Sequence, residues 1–108
     1  MVDKNEESKK LWAISLNSIV IEYFSVNLPS FVLMNETSHG PYWGVTYSAG
    51  DLEIKIGGDV GFSVDIIIDK KKYSLWQYDR RVNNATETNN ENIFYQLNVL
   101  KRFLSETI

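Results

Sequence analysis

The sequence predicts an α+β domain: an N-terminal helix, an antiparallel sheet of about five strands and a C-terminal helix. Three observations carry this reading. Residues 31–78 alternate apolar and polar side chains, interrupted by short turn motifs. Ile93, Leu97, Leu100 and Leu104 recur at helical spacing. A second helical stripe runs through residues 6–24. Turns this short join antiparallel neighbours, because a parallel pair needs a crossover of about a dozen residues or more. The chain has 108 residues and divides nowhere into linker and domain, so residues 1–108 form one domain, with residues 1–5 expected to be disordered.

The first block reads two ways. Trp12, Leu16, Ile19, Val20, Tyr23 and Phe24 make one helical face. Against that, Trp12, Ile14 and Leu16 alternate, Ile19-Val20-Ile21 is β-branched, and Asn17-Ser18 has hairpin chemistry. The helix is preferred, because its stripe holds over four turns. Pro29 then ends it, since the residue before a proline avoids the helical region.

Phe31–Asn35 reads as a short strand, and Glu36–Pro41 as a turn. Trp43, Val45 and Tyr47 define the next strand, turned at Ala49-Gly50-Asp51. Leu52, Ile54 and Ile56 alternate with charged residues, and Gly57-Gly58-Asp59 turns the chain again. Phe62, Val64, Ile66 and Ile68 follow, then the turn Asp69-Lys70-Lys71 and a last strand over residues 72–78. Residues 81–90 form a polar loop. Thr88 and Glu91 have capping-box spacing ahead of the final helix, whose Lys101 and Arg102 suit its C-terminal dipole.

Composition excludes several functions. The chain has no cysteine, which removes disulfides, thiolate metal sites and a cysteine nucleophile. His39 is the single histidine, so no site can use two imidazoles; in its loop setting it reads as solvated. A net charge of −3 argues against general affinity for nucleic acid or an anionic membrane. No cofactor or metal is expected. The N-terminus balances Asp3, Glu6 and Glu7 against Lys4, Lys9 and Lys10 and lacks the apolar run of a secretory signal, so a cytoplasmic protein is expected. Gly57-Gly58-Asp59-Val60-Gly61 lacks the Gly-Lys-Ser/Thr ending of a phosphate loop and leads into a strand, so it reads as a turn. No Gly-x-Ser-x-Gly elbow is present.

Two segments are candidates for a partner surface. Residues 51–69 carry five acids (Asp51, Glu53, Asp59, Asp65 and Asp69) against Lys55 alone, a local charge of −4. Asp51, Glu53 and Asp65 on strand faces then offer a negative surface, with a solvated sheet face as the plainer reading. Trp76 and Tyr78, on one face of the expected last strand, either pack on the N-terminal helix or anchor an interface beside Arg80 and Arg81.

The order of elements resembles a known group. A helix leads to Leu28-Pro29-Ser30-Phe31. Then come Tyr42-Trp43-Gly44-Val45, the strand from Asp51 to Ile56, Ser74-Leu75-Trp76-Gln77-Tyr78-Asp79-Arg80, and a helix from Asn92-Ile93 to Phe103-Leu104. This resembles small bacterial immunity proteins, found beside polymorphic and contact-dependent toxins. The resemblance implies a cytoplasmic, non-enzymatic protein that binds and blocks a toxin domain. It implies no catalytic residues. An acidic strand face suits such a role, since many of these toxins are basic nucleases. The alternative is a small-molecule or regulatory binding domain with a cleft between helix and sheet. An enzyme ranks last, because no nucleophile, metal set or acid/base pair can be named.

Overall fold

The computed structural model describes the backbone of residues 4–107 and the side chains of residues 11–107. The expected disorder of residues 1–5 lies, for residues 1–3, outside the described residues. Helix α1 spans Lys4–Asn27 and is already under way where the sequence reading left the chain disordered. Five strands follow: β1 (Val32–His39), β2 (Tyr42–Ala49), β3 (Leu52–Gly58), β4 (Phe62–Ile68) and β5 (Lys71–Ser74). A single helical turn, α2 (Leu75–Tyr78), and a 3-10 turn (Arg80–Asn84) lead to helix α3 (Asn90–Thr107). The sheet is an antiparallel meander in the order β1-β2-β3-β4-β5. The fold is the expected α+β arrangement.

The helical reading of the first block holds, but the buried seam is Ala13, Leu16, Val20, Tyr23 and Phe24, with Asn17 beside it. Trp12 is 38% exposed. It lies about 100° around the helix from Ala13, which is fully buried. The β-branched run that favoured a strand is overridden because Val20 lands on this seam. Phe24 stacks on Tyr47 at 3.9 Å between ring centroids. The Tyr23 hydroxyl donates to Asn98 Oδ1 at 2.9 Å and lies 3.2 Å from the Leu97 carbonyl, joining α1 to α3. From α3, Ile93, Leu97 and Leu100 are wholly buried, and the inner sheet face supplies Ile54, Ile56 and Ile66.

The turns set the register. Gly40 takes φ +59 ahead of Pro41, and His39 pairs with Tyr42, the two-residue connection that places glycine first. Gly50 takes φ +62 before Asp51. Asp69 and Lys70 take φ +50 and +68, the twist a tight hairpin needs, without a glycine to relieve it.

Four local expectations are corrected. First, β1 continues through residues 36–39, which pair with β2, so the turn shrinks to Gly40-Pro41. An edge strand exposed on both faces accepts that polar composition. Second, Gly57 and Gly58 belong to β3; a Cβ on Gly57 would strike the Trp43 carbonyl, and one on Gly58 the Gly61 carbonyl. The turn is Asp59–Gly61, closed by Asp59 N–H donating to the Gly61 carbonyl at 2.9 Å. Third, the last strand stops at Ser74. Gln77 Oε1 accepts from the Ser74 amide at 2.8 Å, half of a capping box, and this local pairing turns residues 75–78 into a helix that buries Leu75. Fourth, Asn89 caps α3: its Oδ1 accepts from Asn92 N–H at 2.7 Å, and its carbonyl accepts from Ile93 N–H. The Thr88 amide is committed to the Val60 carbonyl, and the Thr88 hydroxyl is buried without a partner.

Candidate functional site

The sheet's outer face carries no helix, and it receives Glu53 and Asp65. In register, Asp65 pairs with Lys55 on β3 and with Ser74 on β5. Its carboxylate accepts from the Ser74 hydroxyl at 3.2 Å and lies 3.5 Å from Lys72 Nζ. Lys55 Nζ lies 3.9 Å from Glu53. Two acids therefore face two lysines, and the outer face is neutral. Asp51 lies apart, exposed in the β2–β3 turn, where its carbonyl accepts from Asp69 N–H. Asp59 is at the opposite end of the sheet, in the β3–β4 turn. The run of acids in the sequence is thus dispersed to three places, because strands alternate faces and turns fall at opposite ends.

Trp76 and Tyr78 do not share a face. On a helical turn, two residues apart means about 200° apart. Trp76 is 46% exposed and borders a crevice beside the 3-10 turn. Tyr78 leans on Phe103, edge to face at 5.1 Å. Its hydroxyl donates to Glu106 and accepts from Arg102 Nε at 3.3 Å. The Glu106 carboxylate holding that proton, together with partial burial, pushes the phenol above its ordinary range.

Asp79 is the most constrained charge. Arg81 grips it in bidentate fashion, Nε to Oδ1 at 3.0 Å and Nη2 to Oδ2 at 2.8 Å, and the Arg81 amide also donates to Oδ1. Arg102 adds a donor from α3, 2.7 Å from Oδ2. The Arg81 hydrogen bonds, reinforced by Arg102, hold the Asp79 carboxyl far below the usual carboxylate range. This cluster clamps the segment after α2 onto α3. Fork-shaped Arg–carboxylate geometry makes it rigid.

The crevice beside Trp76 lies between β4, α2, the 3-10 turn and α3, with a volume of about 40 Å³. Ser63, Asn83 and Thr86 line it, and Gln96 reaches it from α3. Gln96 is 1% exposed. Its Nε2 donates to the Ala85 carbonyl at 2.6 Å, and its Oε1 is buried without a partner. Backbone bonds seat this end of the molecule: Phe62 N–H to the Thr86 carbonyl, and a bridge between Gly61 and Glu87. That bridge sets Glu87 beside the turn that carries Asp59. Gln96 escaped the sequence reading because a polar residue within an apolar stripe carries no signal of what faces it.

Two apolar grooves of about 340 Å³ each open at the other end of the sheet. One is bounded by Ile66, Tyr73, Tyr78 and Phe103, the other by Phe31 and Leu52, and both meet Ile68 and Thr107. Among the described residues no group of three or more His, Asp or Glu side chains is placed to hold a metal ion. No described helix is long and apolar enough to cross a membrane. Comparison with protein-family models, with curated proteins and with solved structures gave no match.

Proposed function

We propose that this chain is a non-enzymatic immunity-type protein that binds a cognate toxin domain in a one-to-one complex and blocks it. The observation that carries the reading is Trp76. It is a large aromatic side chain left 46% exposed on a turn fixed by buried Leu75 and by the Ser74–Gln77 pairing. An aromatic anchor held in place on a rigid corner loses little entropy on docking, and tryptophan, tyrosine and arginine dominate interface hot spots. Arg80, Arg81 and Arg102 lie on the neighbouring segments. The neutral outer face moves the expected contact surface away from Glu53 and Asp65 and toward the end of the molecule that carries Trp76, Asp59 and Glu87. The test is to look for a toxin domain encoded beside this chain and to co-express the two. Host survival and a stoichiometric complex in size-exclusion chromatography are the expected result. Survival independent of this protein overturns the reading.

The apolar grooves favour a second reading, a small-molecule binding domain, because their volume falls in the range of ligand pockets. Saturable methyl shifts at Ile66 and Ile68 on titration with apolar compounds would support it.

A further inference from the structure

We propose that the Trp76–Gln96 crevice is an anchor pocket for one basic side chain, lysine or arginine, of a protein partner. The inference rests on the protein-binding reading above and gives that partner a chemistry. Three independent features lead to it.

The first is the orphaned acceptor. Gln96 Nε2 is committed to the Ala85 carbonyl, which fixes the amide so that Oε1 is the end left free. An amide oxygen can only accept, so whatever completes it must donate an N–H or O–H. A buried acceptor left unpaired costs roughly 1–3 kcal/mol, which a suitable donor would recover.

The second is the ring at the rim. Trp76 is exposed at the crevice, and an indole face attracts ammonium and guanidinium groups more strongly than any other aromatic ring. An aliphatic stem would lie against the ring while the charged end enters. A volume of about 40 Å³ exceeds what a single water needs and suits one small charged head rather than a bulky ligand.

The third is the local charge. The Gly61–Glu87 bridge places the acids of the β3–β4 turn and the 85–89 loop together at this end. Asp59 and Glu87 do not line the crevice, but they flank its Phe62 and Thr86 edge and set two acids there against Arg80 of the 3-10 turn, while Arg81 is taken up by Asp79. Ser63, Asn83 and Thr86 add polar groups around the opening.

The probe is butylammonium, a lysine side chain without its backbone, titrated into isotopically labelled protein and followed by amide correlation spectra. Butyltrimethylammonium is the comparator, with the same charge and no N–H. The expected result is saturable shifts of both the Gln96 side-chain amide and the Trp76 indole with butylammonium. The comparator should leave the Gln96 amide unmoved. Gln96→Met, which keeps the volume and removes the acceptor, should weaken butylammonium by about tenfold, the order of one hydrogen bond to a charged group. Trp76→Ala removes a half-exposed ring without opening the core, and it should weaken binding similarly even where Gln96→Met fails to fold. Equal Gln96 shifts with both probes, or none with butylammonium, would overturn the pocket and leave a crevice that holds water. The experiment needs no toxin. Butylammonium binding without toxin protection removes the immunity reading and keeps the pocket. Protection that persists in Trp76→Ala, with no probe binding, does the reverse.

Discussion

Arg102 on α3 places its Nη2 2.7 Å from Oδ2 of Asp79, so the C-terminal helix and the segment after α2 share one buried carboxylate. Arg81 holds the same group from the other side. The depressed pKa of Asp79 fixes the sign of a pH dependence. Its folded value lies below the unfolded value of about 3.9, so its contribution is complete above that pH and is lost as the pH falls. Wild-type protein should lose melting temperature between about pH 4 and pH 2 more steeply than Asp79→Asn. At neutral pH Asp79→Asn should melt lower, because two arginines then face a neutral amide. Parallel melting curves for the two proteins across that range would remove the clamp.

The N-terminus of α3 gives a test with opposite signs at adjacent residues. Asn89 accepts from Asn92 N–H, so Asn89→Ala should cost about 1 kcal/mol. The Thr88 hydroxyl is buried without a partner, so Thr88→Val should be neutral or stabilising. Chemical denaturation of the two variants decides between them. A loss at Thr88 and none at Asn89 would restore the cap one residue earlier.

The β4–β5 turn stores backbone strain. Lys70 sits at φ +68 with a full side chain. A left-handed conformation costs a non-glycine residue about 1–2 kcal/mol, so Lys70→Gly should stabilise the protein by up to that amount, less the entropy glycine adds to the unfolded chain. A rise in the urea midpoint without a change in slope is the expected result.

Much of this architecture is legible in the sequence, and the reasons for the rest are physical. Leu52, Ile54 and Ile56 alternate cleanly because β3 has one buried and one solvated face. Ile93, Leu97, Leu100 and Leu104 announce α3 because a single face of it is covered. Residues 72–78 misled because Tyr73, Leu75, Gln77 and Trp76 alternate well enough for a strand. Only the Gln77 carbonyl reaching back to Ser74 reveals the turn, and such a bond has no signature in periodicity. The candidate site was less legible still. The acids between Asp51 and Asp69 are close in the chain, yet pairing with Lys55 and Lys72 depends on register, which alternation alone does not fix. Gln96 and Ala85 meet through a loop whose path no local pattern specifies.

The neutral outer face leads to a last prediction, at Asp65. Its side chain is 20% exposed, accepts from Ser74, and stands between Lys55 on β3 and Lys72 on β5. Neutralising it in Asp65→Asn keeps a hydrogen-bond acceptor for Ser74 and removes one weak ion pair, so the cost should stay within about 1 kcal/mol. Asp65→Lys instead sets three ammonium groups side by side across three strands, and like charges directly opposite destabilise a sheet. Its loss should exceed that of Asp65→Asn at low salt and shrink as salt is added, since the Debye length falls from about 30 Å at 0.01 M to about 3 Å at 1 M. Glu53→Lys should cost less than Asp65→Lys, because the Lys55–Glu53 contact is longer and Glu53 is more exposed than Asp65. Melting temperatures of the variants across a salt series provide the measurement. An Asp65→Lys loss that does not respond to salt would assign the damage to packing on the outer face and remove the charge-balance explanation.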